Sequence, residues 1–190
     1  MEKIARKNNG VLWIARTAIF IALLIAAQYV TSSLGQFVTG SIVNFLLITA
    51  TLTAGIYSGI AVAVVSPVAA WLIGIAPNAF LVPSIMAGNV VIVIVYGLLL
   101  KKSGSLEGFK KYALWAVAVV SGAIAKFLAL YLGVVVITLP LITGTLKPPQ
   151  VKAISTMFSY PQLVTALIGG AVATAVVPAI QSALKKSRLG

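Results

Sequence analysis

Residues 112–139 read YALWAVAVVSGAIAKFLALYLGVVVITL, an apolar run that contains a single charged side chain, Lys126. A helix needs about 20 consecutive apolar residues to cross the hydrocarbon core of a membrane, because it rises only about 1.5 Å per residue. The run exceeds that length. It therefore predicts a membrane-spanning helix, and the rest of the sequence repeats the pattern.

The composition of the whole chain also indicates that most of its surface contacts lipid. Of the 190 residues, 61% are hydrophobic and 8% are charged, whereas a soluble domain carries about 25% charged residues. We therefore predict an all-α integral membrane protein with one domain over residues 1–190. Its six predicted transmembrane helices are residues 11–34, 41–56, 59–75, 82–100, 112–139 and 160–184. The first apolar run is longer than the core of a signal peptide, about 7–15 residues, so we expect a retained helix.

The basic residues predict the orientation of these spans. If the amino terminus is cytoplasmic, eleven of the fourteen basic residues fall in cytoplasmic segments or, for Arg16, at the cytoplasmic end of the first span, whereas Lys147 and Lys152 fall outside. Cytoplasmic segments of membrane proteins carry an excess of Lys and Arg, so we predict that both termini are cytoplasmic. The basic residues form no patch interleaved with aromatic residues, and we expect no nucleic-acid partner. The eleven are Lys3, Arg6, Lys7, Arg16, Lys101, Lys102, Lys110, Lys111, Lys185, Lys186 and Arg188.

The chemistry available to the chain is narrow. It has no cysteine and no histidine, and its only acidic residues are Glu2 and Glu107, both in basic, non-apolar segments. Thiolate nucleophiles, imidazole bases, the usual zinc ligands and paired intramembrane carboxylates are therefore excluded. We expect no catalytic residue and no metal site.

Lys126 is the most informative residue, because an ionised lysine in mid-membrane costs roughly 2.5–3.5 kcal/mol even on lenient insertion scales. No predicted span contains an acidic residue to pair with it. One interpretation is that the side chain snorkels towards an interface and bonds to backbone carbonyls. The other is that an anionic ligand brings the missing charge, since a carboxylate about 4 Å away gains roughly 4 kcal/mol at an effective dielectric of about 20.

Further candidate ligand contacts lie in the outer half of the predicted membrane region. Asn44 and Asn89 are amides inside apolar spans, and each must bond either to another helix or to a ligand. Side chains at the outer ends of spans either form an interfacial belt or line an outward-facing pocket. These are Trp71, Asn78, Tyr131, Tyr160 and Gln162.

A stripe of small residues runs along the first span, where Ala18, Ala22 and Ala26 recur every four residues. Such a stripe lets another helix approach closely. The neighbouring helix is either part of this chain or part of a partner protein.

The chain resembles the substrate-binding S-components of energy-coupling factor (ECF) vitamin transporters over nearly its whole length. The resemblance rests on the chain length, on six spans with both ends inside, and on the opening ARTAIFIALLIAAQ with its AxxxAxxxA stripe. It also rests on GSIVN at residues 40–44, on the G-x-x-x-G region followed by Pro67, and on the P-x-x-x-x-x-N of residues 83–89.

The resemblance implies a multi-pass protein of a bacterial cell membrane that binds a vitamin near the outer face. It implies a membrane coupling subunit (T-component) and two cytoplasmic ATPase subunits as partners. Those ATPases use the ATP, so this chain itself binds no cofactor. The resemblance makes Ala18, Ala22 and Ala26 the contacts to the coupling subunit. It makes Asn89, Lys126 and the outer polar and aromatic residues the ligand contacts.

The identity of the ligand follows from the charge argument on Lys126, which favours a carboxylate and hence pantothenate. Other vitamins of the family stay open, namely pyridoxine, hydroxymethylpyrimidine, riboflavin, biotin and niacin. A stand-alone small-molecule transporter is a different alternative, although ion coupling usually uses intramembrane acids or histidines. A structural membrane subunit is another. A hydrolase with a Ser–Lys pair requires Ser66, Ser84 or Ser121 to approach Lys126.

Overall fold

The computed structural model describes residues 2–76 and 78–186, and every regular element in these ranges is helical. Arg188, one of the basic residues counted above, lies outside the described residues. The α-helices are α1 (Glu2–Thr31), α2 (Gln36–Ala54), α3 (Ile56–Leu72), α4 (Val82–Leu99), α5 (Gly108–Leu130), α6 (Leu139–Ile142), α7 (Pro148–Met157) and α8 (Tyr160–Lys186). Short 3-10 turns occupy Ser32–Leu34, Ala79–Leu81, Leu100–Ser105 and Thr143–Thr145, and Tyr131–Thr138 is a π-helix.

Five helical stretches in the described residues are long and apolar enough to cross a membrane. They are Gly10–Leu34, Gln36–Ala54, Ala79–Leu99, Gly108–Thr145 and Pro148–Lys185. The remaining apolar helix, α3, has 17 residues, which is about 25 Å and the lower limit for a spanning helix. The prediction of an all-α, multi-pass membrane protein is confirmed at this level, and the count of six spans and their orientation stay predictions.

Glycines separate the first three helices. α2 begins at Gln36, five residues before the predicted start of the second span, because the chain turns at Gly35, whose φ is +83°. The expected break between the second and third spans lies at Gly55, whose φ is +100°. Left-handed backbone of this kind favours glycine, which has no Cβ. Gly59, by contrast, lies inside α3.

The segment 140–159, which lies between the last two predicted spans, is mostly helical. α5 continues into the π-helix Tyr131–Thr138 and then α6, and α7 follows. Two prolines open α7, where a missing N–H is tolerated, and the Gln150 side chain accepts a hydrogen bond from the Lys147 amide at 2.9 Å. Ile154 of α7 is buried with Leu81 and Leu130. α7 packs on α8, on α6 and on the π-helix Tyr131–Thr138.

The long helices form one bundle with two chemically different ends. A single apolar core joins α1, α2, α3, α4, α5 and α8. The cavity end, where α2, α4 and α8 begin, surrounds the cavity described below. The basic end, where α4 ends and α5 begins, carries Lys101, Lys110 and Lys111.

The orientation can be tested with single cysteines, because the chain has none of its own. Lys152 at the cavity end and Lys110 at the basic end are both exposed. We expect a membrane-impermeant maleimide to label Lys152→Cys in intact cells and to label Lys110→Cys only after permeabilisation. The reverse pattern would contradict the predicted cytoplasmic basic end.

Candidate ligand-binding site

A cavity of about 120 Å³ opens at the cavity end of the bundle. This volume holds about eight to twelve water-sized groups, the scale of a small metabolite. An apolar wall with a few polar groups is typical of small-molecule sites. The polar lining residues are Gln28, Gln36, Thr39, Asn89, Lys126 and Gln162, and the apolar ones include Val43, Pro67, Ala70, Ile75, Ile85, Leu130, Met157 and Phe158.

Lys126 lies on the buried face of α5, one turn after Gly122 and one turn before Leu130. Gly122 allows α4 to approach, since a Cβ there would lie 2.7 Å from the ring of Tyr96. The lysine side chain is 3% exposed and lines the cavity. It therefore points into the bundle and not towards the lipid-facing surface.

Two amide oxygens hold the lysine amine. Lys126 Nζ donates to Asn44 Oδ1 of α2 at 2.5 Å and to Asn89 Oδ1 of α4 at 2.7 Å. Hydrogen bonds to charged groups contribute about 1.5–3 kcal/mol each, so two of them offset an insertion penalty of roughly 2.5–3.5 kcal/mol. We call these three residues the Lys126 cluster.

The Lys126 cluster has no anionic partner among the described side chains. Its two acceptors are neutral amides, and the one carboxylate among the described side chains, that of Glu107, is exposed at the start of α5. Glu107 is 19 residues from Lys126 in the sequence, which corresponds to about 28 Å along a helix. An ammonium group has three N–H donors, and one of them has no partner among the described residues. The cluster thus offers the cavity a charge and a donor.

Asn44 is fixed from behind by α8. Its Nδ2 donates to Thr165 Oγ1 at 3.4 Å, and that hydroxyl donates to the carbonyl oxygen of Gln162 at 3.2 Å. The helices come this close because residue 169 is glycine, where a Cβ would lie 2.6 Å from that of Asn44. Asn44 does not line the cavity itself. It positions the amine from behind the wall that Gly40 and Val43 form.

Gln162 connects the cavity to α7. Its Nε2 donates to the carbonyl oxygen of Met157 at 3.0 Å, across the turn between α7 and α8. Met157 and Phe158 at that turn form part of the apolar wall. The segment between the last two predicted spans therefore contributes a side of the cavity.

The other four predicted ligand contacts lie outside the cavity lining. Trp71, Tyr131 and Tyr160 are exposed, and Tyr131 packs on Phe127 with ring centroids 5.7 Å apart. These exposed rings match the interfacial-belt interpretation. Asn78 accepts a hydrogen bond from the amide of residue 80 at 2.9 Å and so caps the turn before α4.

The alanine stripe of α1 faces away from the rest of the chain. Ala18, Ala22 and Ala26 are all exposed. The opposite face of α1 packs inward, where Leu24 is buried and Thr17 Oγ1 lies 2.8 Å from Ser58 Oγ of α3. The stripe thus lies on the exposed side of α1.

Sequence reasoning missed Gln28, Gln36 and Thr39 as lining residues. Gln28 carried a usable signal, because it is an amide within the first apolar run. Met157 and Phe158 gave no such sequence signal. These apolar side chains reach the cavity only because the segment 140–159 folds into helices.

None of the three serines considered for a Ser–Lys pair forms a hydrogen bond with Lys126. Ser84 Oγ donates to the Gly133 carbonyl at 3.1 Å, and Ser121 Oγ donates to the Val117 carbonyl at 2.6 Å. Ser66 Oγ is buried without a partner among the described residues. The partners of Lys126 are amides, an arrangement that offers no activated hydroxyl.

No family model matches this chain, and no curated protein or solved structure shows significant similarity to it.

The Lys126 cluster makes a prediction about stability. Asn89→Leu removes an acceptor from a buried ammonium, and we expect it to destabilise the fold by about 2–3 kcal/mol. Lys126→Met combined with Asn89→Leu should be more stable than Asn89→Leu alone, because the uncompensated charge is then gone.

Thermal unfolding of the three variants in detergent measures this coupling. Asn78→Ala, which removes an amide at the same end of the bundle but outside the cluster, is the control. Additive effects of Lys126→Met and Asn89→Leu would show that the two side chains do not interact.

Proposed function

We propose that this protein is the vitamin-binding membrane subunit, or S-component, of an ATP-driven uptake transporter of the ECF type, and that its ligand is pantothenate. One observation carries the proposal. The buried Lys126 amine lines a cavity, bonds only to neutral amides among the described residues, and keeps one donor for a ligand.

The charge of the Lys126 cluster favours a carboxylate ligand. A carboxylate about 4 Å from the amine gains roughly 4 kcal/mol at an effective dielectric of about 20, which corresponds to about a thousandfold in affinity. A neutral ligand receives no such gain and leaves the ammonium without a counter-charge. This difference favours pantothenate, biotin and niacin over riboflavin and pyridoxine.

The remaining lining supports a ligand that is both polar and branched. Three glutamines and one threonine line the cavity together with aliphatic side chains. Pantothenate presents hydroxyl groups, an amide and a dimethyl-substituted carbon, each of which suits part of that lining. The cavity volume of about 120 Å³ favours a small ligand over one as large as a folate.

The exposed alanine stripe of α1 supports a partner within the bilayer. Small residues allow the backbones of two helices to approach closely, which drives helix association in lipid. We assign Ala18, Ala22 and Ala26 to the contact with a membrane coupling subunit. Two ATPase subunits at the basic end then supply the energy, with that end in the bacterial cytoplasm.

Ligand binding tests the role of Lys126. Pantothenate at 100 times its dissociation constant should stabilise the purified protein by about 2.7 kcal/mol in a thermal-shift measurement. Lys126→Met should still fold, because the removal of a buried ammonium offsets the loss of its two hydrogen bonds. We expect that variant to lose this stabilisation, since its side chain offers neither a charge nor a donor.

Lys152→Met is the matched control, because it removes an exposed lysine at the same end of the bundle. It should leave the stabilisation intact. Unchanged binding by Lys126→Met would contradict the charge argument. Stabilisation by riboflavin or pyridoxine alone would retain the vitamin-binding function and refute the carboxylate assignment.

The coupling role of the alanine stripe has a separate test. Ala22→Trp places a large ring on the exposed face of α1, so it should leave pantothenate binding unchanged and abolish uptake by whole cells. Ala116→Trp is the control, because Ala116 is an equally small, exposed residue on α5. Normal uptake by Ala22→Trp would show that no partner requires this face.

A further inference from the structure

Gln28 is a second polar anchor on the cavity wall. Its Oε1 atom is buried and has no hydrogen-bond partner among the described residues, and its side chain lines the cavity. Gln162, another amide of the lining, donates to the Met157 carbonyl. Gln28 therefore brings to the cavity wall an amide whose oxygen no described donor uses. Rotation of that amide about its terminal side-chain bond would turn the oxygen towards the cavity.

An unused buried acceptor is unfavourable by about as much as a lost hydrogen bond, so folded proteins retain few of them. An apolar side chain at position 28 would avoid that penalty and would also suit the first apolar run of the sequence. Because Gln28 lies on a cavity wall, a ligand can supply the missing donor. This explains why an acceptor without a protein partner is retained at position 28.

Gln28 and Lys126 lie on different sides of the cavity. α1, which carries Gln28, packs on α2 and α3, whereas α5, which carries Lys126, packs on α4 and α8. A ligand that reaches both residues must therefore hold its carboxylate and its donor apart on its own skeleton.

We propose that Gln28 is a specificity-determining residue that accepts a hydrogen bond from a hydroxyl or N–H group of the ligand, on the side of the cavity away from Lys126. The proposal rests on the function proposed above and defines the ligand class more narrowly. The protein selects carboxylates that carry a second, separate hydrogen-bond donor, and it rejects simple aliphatic carboxylates because these leave Gln28 Oε1 unpaired.

Three carboxylate probes of equal chain length test this selection. Pantothenate carries two hydroxyls and an amide, N-(3,3-dimethylbutanoyl)-β-alanine carries the amide alone, and 7,7-dimethyloctanoate carries no donor. We expect the wild-type protein to bind at least one of the first two about tenfold or more tightly than the third. In Gln28→Met that preference should fall by about tenfold.

Two further measurements guard against a folding artefact. Gln28→Met in the absence of ligand should unfold at a temperature no lower than the wild-type protein, because it removes an atom without a partner. Gln181→Met, which removes a glutamine bonded to the Leu52 carbonyl at the basic end, should leave the preference among the probes unchanged.

Each outcome decides the proposal. Equal effects of Gln28→Met on all three probes, or no effect on any, would overturn it and leave the carboxylate function standing. A lower unfolding temperature of unliganded Gln28→Met would show that the protein itself satisfies this amide, and would also overturn it. Failure of the wild-type protein to bind any probe would overturn both this inference and the pantothenate assignment.

Discussion

The hydrogen bonds between the Lys126 ammonium and two asparagine oxygens are the constraint on which the rest of the site depends. They bring α2, α4 and α5 together at one buried point. A cation in this environment is tolerated only where acceptors surround it, so the three helices must keep their register. The acceptors solvate the charge without neutralising it. The same interaction that holds the helices in place therefore leaves room for the anionic ligand proposed above.

Small residues make this arrangement possible at two helix contacts. Gly122 admits the ring of Tyr96 between α4 and α5, and Gly169 lets α8 approach the backbone of α2 beside Asn44. Hydrogen bonds then lead from Asn44 through Thr165 and Gln162 to the end of α7. Hydrogen bonds thus link the Lys126 cluster, the wall behind it and the turn between α7 and α8.

The sequence predicted those features in which a single side chain conflicts with its surroundings. Lys126, Asn44 and Asn89 stood out because ionised or amide groups in apolar runs need partners, and the structure brings the three together. Trp71 and Tyr131 were candidates for the pocket but lie on the surface. The sequence could not distinguish the two locations, because an aromatic residue at the end of a span has the same pattern in an interfacial belt and in a pocket. The start of α2 was placed five residues too late and α7 was not predicted, since both depend on turn geometry and tertiary contacts more than on hydropathy.

α1 carries residues for both parts of the proposed function, which are ligand binding and contact with a coupling subunit. Its inner face carries Gln28 at the cavity, and its outer face carries the exposed Ala22 and Ala26 within two turns of that glutamine. A helix moves as a rigid element over so short a distance, so a shift that seats a ligand donor on Gln28 also moves the alanine stripe. Coupling between ligand and partner then needs no long pathway through the bundle. The continuity of one helix is sufficient, provided that α1 takes two positions that ligand and coupling subunit each distinguish.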